Sequence, residues 1–275
     1  MKIIDSHQHF WKYEPVKHDW IDDHMNVIRR DFYPSDLLEV YHDNHVAGCV
    51  AVQADQTEAE TLFLLEIAQQ NEFVKGVVGW VDLRSAQIEE RLAYFAQFSE
   101  IKGFRHVLQG EDPDFILQND FLNGIAKLKD FDFTYDVLIF PQHLPNSIKL
   151  AKLFPDQKFV VDHIAKPFIK IGEIADWQKG MEELGRLENV FCKISGMITE
   201  ADYHNWSYEQ LVPYLDVVVG AFGVEKLMFG SDWPVCLVAG KYEQVIGIVN
   251  NYFDTFTSAE KNAFFAENAI AFYNL

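Results

Sequence analysis

The chain has 275 residues, of which 49% are hydrophobic and 24% charged, so it can bury a large core and is not expected to be disordered. Its formal net charge of −19 at pH 7 repels nucleic acid and anionic lipid, and we expect neither as a partner.

Eight short apolar runs are predicted to form buried strands, because they are rich in Val, Ile and Phe and are bounded by polar residues, Gly or Pro. In chain order they are 2–4, 48–52, 76–81, 101–105, 133–138, 158–161, 190–194 and 227–229. Segments with helical periodicity lie between and after them, at 57–70, 86–98, 121–128, 145–154, 174–187, 208–222, 241–250 and 258–273. Ser258 is the expected cap of the last helix.

This alternation predicts a single α/β domain over residues 1–275, folded as a (β/α)8 barrel of the TIM type. The main alternative is a doubly wound open sheet. No glycine-rich phosphate fingerprint follows any predicted strand, which argues against a nucleotide-binding sheet. The segment 11–31 lacks a helical pattern, so we predict a long loop after strand one that overhangs the barrel mouth.

The predicted location is the cytoplasm, without a membrane partner. The chain enters a strand directly, shows no signal-peptide pattern and has no apolar run of transmembrane length. Cys49, Cys192 and Cys236 are odd in number and lie in or beside apolar stretches, which indicates reduced core thiols.

Polar side chains follow nearly every predicted strand, where the catalytic groups of such barrels lie. In chain order they are His7, His9, Gln53, Asp55, Trp80, Asp82, Arg105, His106, Gln142, His143, Asp162, His163, Lys166, Ser195, Asp232 and Trp233. His7 and His9 stand two residues apart, so a strand turns both imidazoles to the same side. If the first and last strands are neighbours, these imidazoles meet Asp232 at one mouth.

Five motifs, taken together, resemble the amidohydrolase-related branch of the amidohydrolase superfamily, which contains sugar lactonases of the fucono- and rhamnono-lactonase type. They are Asp5-Ser6-His7-Gln8-His9-Phe10-Trp11, Lys102-Gly103-Phe104-Arg105-His106, Asp162-His163-Ile164-Ala165-Lys166-Pro167, Lys193-Ile194-Ser195-Gly196 and Phe229-Gly230-Ser231-Asp232-Trp233-Pro234. The resemblance implies a hydrolase with a barrel fold and a site at the mouth.

The resemblance also implies a metal site, with His7, His9, His163 and Asp232 as ligands. The binuclear members carry a further lysine or glutamate after strand four and a histidine directly after strand five. Here those positions hold Arg105-His106 and Phe140-Pro141, so we expect at most one divalent ion, with Zn²⁺ as the first choice. Hydrolysis without any metal stays open at this point.

The expected chemistry is the opening of a sugar-acid lactone, an aldono-1,4-lactone, by a water that Asp232 activates. His163 is expected to assist it, and Arg105 to anchor an oxygen of the substrate. The expected substrate-binding residues are Trp11, Gln53, Lys166 and Trp233. The sequence does not decide whether Arg105 or His106 faces the site.

Three other functions remain open. A 2-pyrone-4,6-dicarboxylate lactonase would need several arginines at the mouth, and Arg105 is the only one that the sequence places there. A mononuclear metal-dependent decarboxylase would need a histidine at the end of strand five. The third alternative is a non-catalytic barrel that binds a sugar acid.

Overall fold

The computed structural model describes residues 2–275, and its eight strands form one parallel sheet in the order β1 to β8. The strands are β1 Ile3–Gln8, β2 Val46–Val52, β3 Val74–Gly79, β4 Ile101–His106, β5 Thr134–Val137, β6 Phe159–Val161, β7 Val190–Ile194 and β8 Leu227–Phe229. All eight predicted strands are confirmed. The largest difference is at β1, which continues four residues beyond its predicted end at Ile4.

The sheet closes between its first and last strands at their carboxyl ends. The backbone N–H of Asp232 donates to the carbonyl of His7 at 2.8 Å, and that of His9 donates to the carbonyl of Trp233 at 2.7 Å. These bonds continue the ladder just beyond β8, where Gln8 and Trp233 form a parallel bridge. The predicted TIM-type barrel is therefore confirmed.

The chain has ten α-helices among the described residues; the first seven connect one strand to the next, and the last three follow β8. They are α1 Pro34–Asp43, α2 Glu58–Gln70, α3 Ile88–Phe95, α4 Asn119–Leu128, α5 Leu144–Leu153, α6 Ala175–Gly185, α7 Tyr208–Phe222, α8 Tyr242–Tyr252, α9 Ser258–Asn262 and α10 Asn268–Tyr273. A π-helical turn, Ala263–Glu267, joins the last two into one rod. The predicted helices are confirmed within a few residues at each end.

Helix α1 is the one helix that the periodicity did not predict. Its local signals are Pro34 at the first position and Asp36, whose carboxylate accepts the N–H of Tyr33 at 2.9 Å. Only Leu37 and Tyr41 are buried, so the helix shows too short an apolar stripe to be recognised by pattern alone.

The predicted cap of the last helical rod is corrected by one residue. The cap is Thr257, not Ser258, and its hydroxyl accepts the N–H of Glu260 at 3.3 Å. Glu260 returns the bond by accepting the N–H of Thr257 at 2.8 Å. This shift makes the glutamate the third helical residue, as a capping box requires.

The same rod closes the amino end of the barrel. Its residues Ala266, Ala269, Phe272 and Tyr273 pack in one cluster with the inward side chains Ile4, Val50, Val52, Val78, Val160 and Met228. Lys102, near the start of β4, donates to the carbonyl of Asn274 at 2.7 Å. The mouth is consequently the only open end of the described barrel.

The long segment after β1 returns over the mouth, as predicted. At its base the N–H of Trp11 donates to the carbonyl of Phe32 at 3.1 Å, and the N–H of Phe32 donates to the carbonyl of Trp11 at 2.9 Å. Between them lies a short 3-10 segment, Asp23–Ile28. None of the helices within residues 2–275 has the length and apolar character needed to cross a bilayer. The three cysteines are buried and form no disulfide.

Gly124 of α4 allows that helix to approach the loop after β3, and a matched glycine substitution tests this contact. A Cβ at Gly124 would lie 2.1 Å from the carbonyl oxygen of Leu83, whereas a Cβ at Gly247 of α8 would meet nothing within 4 Å. We expect Gly124→Ala to lower the free energy of unfolding by about 1–3 kcal/mol. Gly247→Ala is expected to raise it by roughly 0.5–1 kcal/mol. Urea unfolding measures both, and equal effects would contradict the close approach.

Candidate active site

Three imidazoles meet one carboxylate oxygen at the barrel mouth. The Oδ1 atom of Asp232 lies 3.3 Å from Nε2 of His9, 3.8 Å from Nε2 of His163 and 3.9 Å from Nε2 of His7. All four side chains are buried. The structure therefore brings together the four residues that the sequence singled out as a possible metal or catalytic group.

Left-handed backbone directs two of these side chains into the mouth. Residues 163–166, which include His163 and Lys166, all have positive φ, from +46° to +59°, and Asp232 has φ +58°. Such conformations cost roughly 1–2 kcal/mol per residue outside glycine, so the surrounding packing must impose them. The turn carries both His163 and Lys166 to the cavity.

Hydrogen bonds on the far side of each ring fix its orientation. Nδ1 of His9 donates to the carbonyl of Val52 at 2.7 Å, and this bond turns its Nε2 toward Asp232. Nδ1 of His163 lies 2.8 Å from the hydroxyl of Ser195. Gly196 follows with φ +62°, and a Cβ there would lie 2.6 Å from the His163 ring.

Arg105 faces the site and His106 does not. Nη1 of Arg105 lies 3.0 Å from Asp162 and 3.3 Å from Nε2 of His7, and Nη2 donates to the carbonyl of Gln53. The His106 ring turns away, stacks on Phe115 and lies 3.1 Å from the carboxylate of Glu111.

A buried charge network lies beneath His7, and its members Asp136 and Lys193 were not predicted from the sequence. The ammonium of Lys193 contacts the carboxylate of Asp136 and lies 3.0 Å from Asp162 and 3.1 Å from Nδ1 of His7. Asp162 in turn lies 3.2 Å from the same Nδ1. Burial raises the pKa of Asp136 to about 6, although Lys193 opposes the shift. Burial also disfavours the ionised form of Asp162, but Lys193, His7 and Arg105 hold its pKa well below the ordinary value.

Asp5 joins the first strand to the loop after β8. Its Oδ1 accepts the N–H of Ser231 at 2.8 Å and that of His7 at 3.2 Å. Its Oδ2 accepts the hydroxyls of Tyr41 at 2.9 Å and Tyr242 at 3.2 Å. Burial raises the pKa of Asp5. The Asp5 carboxylate therefore holds the first strand, the loop after β8 and two helices together.

Three of the four residues, His9, His163 and Asp232, line a cavity of about 370 Å³, and His7 lies behind them. Its lining is His9, Lys17, Asp19, Trp20, Ala54, Asp55, Gln56, Arg105, Val107, Gln109, Leu138, His163, Lys166, Asp232 and Val235. Lys166 lines the cavity as expected. Sequence reasoning missed Lys17, Asp19 and Trp20, which come from the long loop after β1 and carry no strand-end signal.

Three expected substrate-binding residues do not reach this cavity. Trp11 is fully buried, with its indole N–H donated to the carbonyl of Arg30 at 2.9 Å, so its ring is packing in the loop. Trp233 is buried against Phe32 at a centroid distance of 5.2 Å. Gln53 is also buried, and its amide donates to the carbonyl of Arg105 at 3.1 Å.

The exposed aromatic face at the mouth belongs instead to Trp20, whose exposed fraction is 39%. Trp11 and Trp20 lie in one loop, and their rings contact each other at 5.9 Å between centroids. Both are tryptophans in a segment without periodicity, so no sequence signal separates the buried ring from the exposed one.

The ionisation states suit a cation or an acid–base role. Burial disfavours the charged form of Asp232, but His163 and His9 outweigh it and hold the pKa of Asp232 below its ordinary value. Burial holds the pKa of His7 and of His163 well below the ordinary value. The site at neutral pH is therefore an ionised carboxylate among imidazoles, of which His7 and His163 are neutral.

His7, His9 and Asp232 could together hold a divalent metal ion. Tetrahedral ligands at about 2.1 Å from Zn²⁺ lie about 3.4 Å apart, close to the 3.3–3.9 Å that separate Asp232 from the three Nε2 atoms. His7, His9 and Asp232 also form a group whose ligand atoms all lie within 4.8 Å of one another. Nη1 of Arg105 lies 3.3 Å from Nε2 of His7 and would compete with a metal ion for that nitrogen.

A (β/α)8 barrel with this histidine and aspartate set at its mouth is the architecture of the amidohydrolases. The chain belongs to the amidohydrolase family, whose sequence model matches residues 4–275. The resemblance that the motifs indicated is confirmed.

The chain is similar to two sugar lactonases. It is 37% identical to an L-fucono-1,5-lactonase of Burkholderia multivorans, over 99% of this chain and 96% of that one. It is also 37% identical to an L-fucono-1,5-lactonase of Burkholderia ambifaria, over 87% of this chain and 82% of the other. A crystal structure of a Burkholderia multivorans amidohydrolase with bound zinc covers all of both chains at a TM-score of 0.97 and 37% identity. These findings agree with the predicted class, a lactone-hydrolysing enzyme.

Glu60 of α2 lies beneath the cavity loop after β2, and its ionisation predicts a pH dependence of stability. Its carboxyl accepts the N–H of Ala54 at 3.3 Å, and burial raises its pKa from 4.5 to about 7. The folded state therefore binds this proton more tightly than the unfolded state. The stability that it contributes is complete below pH 4.5 and is lost as the pH rises through 7.

Glu60→Gln should remove this loss, since glutamine stays neutral. Relative to the wild type, the free energy of unfolding of the variant should rise by about 1–3 kcal/mol from pH 5 to pH 8. Urea unfolding at the two pH values measures the gain. Glu66→Gln, on the exposed face of the same helix, is the control. Parallel pH profiles for wild type and Glu60→Gln would refute the assignment.

Proposed function

We propose that this protein hydrolyses a sugar-acid lactone at the mouth cavity. The observation that carries the proposal is the Asp232 carboxylate at 3.3 Å from His9, on the floor of a polar cavity, in a chain 37% identical to an L-fucono-1,5-lactonase over nearly its whole length. The reaction adds water to the ester carbonyl and breaks the bond to the ring oxygen, so the products are one carboxylic acid and one hydroxyl group.

Asp232 is the proposed base. Its pKa lies below the ordinary value, so it is ionised at neutral pH and can take a proton from the attacking water. The same proton then passes to the departing ring oxygen. Nε2 of His9, turned toward the mouth by the bond to Val52, orients the water, with His163 on the other side. Arg105 supplies fixed positive charge for the developing oxyanion.

His7, His9, His163 and Asp232 would hold at most one divalent cation, with Zn²⁺ as the first choice. A bound ion would act as a Lewis acid on the ester carbonyl. A second ion would need Asp162, whose oxygens already contact His7, Arg105 and Lys193. Arg105 offers its own charge beside His7, so the metal-free route stays an alternative.

A neutral polyhydroxylated ring is the proposed substrate. The charged side chains that line the cavity are three cations, Lys17, Arg105 and Lys166, and three carboxylates, Asp19, Asp55 and Asp232. This balance suits hydroxyl groups, which donate and accept hydrogen bonds, and it does not suit the two carboxylates of a pyrone dicarboxylate. Trp20 offers an aromatic face for a sugar ring.

The decarboxylase alternative loses support at strand five. His143 lies two residues beyond Pro141, and its Nε2 faces the carbonyl of Glu111 at 3.1 Å instead of the mouth.

The ring size of the lactone is open to the same test as the activity. The two lactonases at 37% identity are named for a 1,5-lactone, whereas the sequence alone predicted a 1,4-lactone, so both forms belong in the assay.

The activity test is acid release from paired 1,4- and 1,5-aldonolactones, followed with a pH indicator. We expect Asp232→Asn to lower kcat/KM by about 10²–10⁴-fold, because the amide cannot accept the proton of the water. Asp216→Asn, on the outer helix α7, is the matched control and should keep wild-type turnover. No turnover of any lactone by the wild type, or full turnover by Asp232→Asn, would refute the proposal.

The metal proposal is tested by titration with Zn²⁺ in a calorimeter. We expect one ion per chain in chelator-treated protein, and a loss of at least about tenfold in affinity for His9→Asn. His24→Asn, at an exposed position of the loop, should bind as the wild type does. Two ions per chain, or unchanged affinity in His9→Asn, would contradict the proposed ligand set. Lactone turnover with and without chelator then decides between the metal-dependent and metal-free routes.

A further inference from the structure

Tyr273, in the last turn of α10, reaches the centre of the barrel from the closed end. The side chain is buried, and its hydroxyl lies 2.9 Å from both carboxylate oxygens of Asp136 on β5. The rest of the rod packs against apolar barrel residues, so this hydroxyl is the polar contact of α10 with the charged interior. The contact lies on the opposite side of the network from the mouth.

Lys193 connects this contact to the site. It has no exposed surface, and its ammonium is shared among Asp136, Asp162 at 3.0 Å and Nδ1 of His7 at 3.1 Å. The two carboxylates accept hydrogen bonds from this ammonium, and Asp162 in turn lies 3.2 Å from Nδ1 of His7, which can donate to it. A shift of Asp136 therefore changes the geometry at Asp162 and His7 as well.

Two buried cations face two buried carboxylates here. Arg105 pairs with Asp162 at 3.0 Å, and Lys193 lies between Asp162 and Asp136. Removal of one hydrogen bond from such a set leaves a buried carboxylate partly unsatisfied, which the remaining partners can correct only by moving. The Tyr273 hydroxyl stands at the end of this series of contacts, and among the described residues its hydrogen-bond partner is Asp136 alone.

We propose that Tyr273 and Lys193 are positioning residues for His7, so that the helix at the closed end of the barrel sets the orientation of an imidazole at its mouth. Neither residue lines the cavity, so neither touches the substrate. The chain of contacts runs from the Tyr273 hydroxyl through Asp136, Lys193 and Asp162 to Nδ1 of His7. The kinetic part of the proposal depends on the proposed lactonase activity.

The test is Tyr273→Phe, which removes one hydroxyl and keeps the ring in the core. We expect kcat to fall about tenfold, as is usual when a group that orients an active-site side chain is lost. KM should stay within about twofold, because the cavity lining is intact. Tyr252→Phe is the matched control, since it removes a tyrosine bond to a carboxylate, Asp216, at 2.8 Å on the outer surface. It should leave kcat unchanged.

A double variant separates positioning from a general loss of stability. In Lys193→Met the route from Tyr273 to His7 is broken, so Tyr273→Phe should cause no further loss of kcat in that background. If Lys193→Met does not fold, Asp136→Asn breaks the same route at similar volume. Independent, multiplicative losses in the background that folds would overturn the proposal.

A spectroscopic readout does not depend on turnover. In protein labelled with ¹⁵N-histidine, the ring nitrogen signals of His7, assigned with His7→Gln, should shift in Tyr273→Phe and stay in place in Tyr252→Phe. Unshifted His7 signals in Tyr273→Phe would overturn the proposal, even if no lactone is hydrolysed. Shifted signals without lactone turnover would uphold the positioning role and refute only the proposed function.

Discussion

Hydrogen bonds between the first strand and the loop after the last strand form the seam on which the site depends. Asp232 donates its N–H to the carbonyl of His7, and the Asp5 carboxylate accepts the N–H of Ser231 across the same seam. His7 and Asp232 come from opposite ends of the chain, so their side chains meet only when the barrel closes. Because parallel strands leave their carboxyl ends at one rim, closure and site formation are a single event.

Charge pairing explains how the centre of an otherwise apolar barrel tolerates ionised groups. An unpaired buried charge is strongly destabilising, whereas Arg105 and Lys193 balance Asp136 and Asp162 and satisfy their hydrogen bonds. The pairing leaves His7 beside fixed charges of both signs, and burial keeps its pKa low. The imidazole can therefore act as a neutral donor or acceptor toward the mouth, which is the state that hydrolysis or metal binding requires.

The alternation of apolar runs with helical segments predicted the barrel, and the strand-end rule placed many polar side chains at its mouth because it depends only on chain order. The family resemblance then singled out His7, His9, His163 and Asp232 among them. The sequence could not predict the network below. Asp136 and Lys193 lie within short strands buried on both sides, where sequence periodicity does not separate inward from outward positions. Nor could it choose between Trp11 and Trp20, because their loop has no regular period and only the folded backbone buries one ring and exposes the other.

The distribution of charge also bears on how a lactonase of this kind would release its product. The chain carries a net charge of −19, whereas the charged side chains that line the cavity cancel. A neutral lactone meets no long-range repulsion as it enters. The proposed hydrolysis would convert it into a carboxylate anion beside the ionised Asp232 and inside a negative surface field. That field opposes return of the product more than it opposes entry of the substrate, and salt weakens the effect because it screens charges beyond about 8–10 Å.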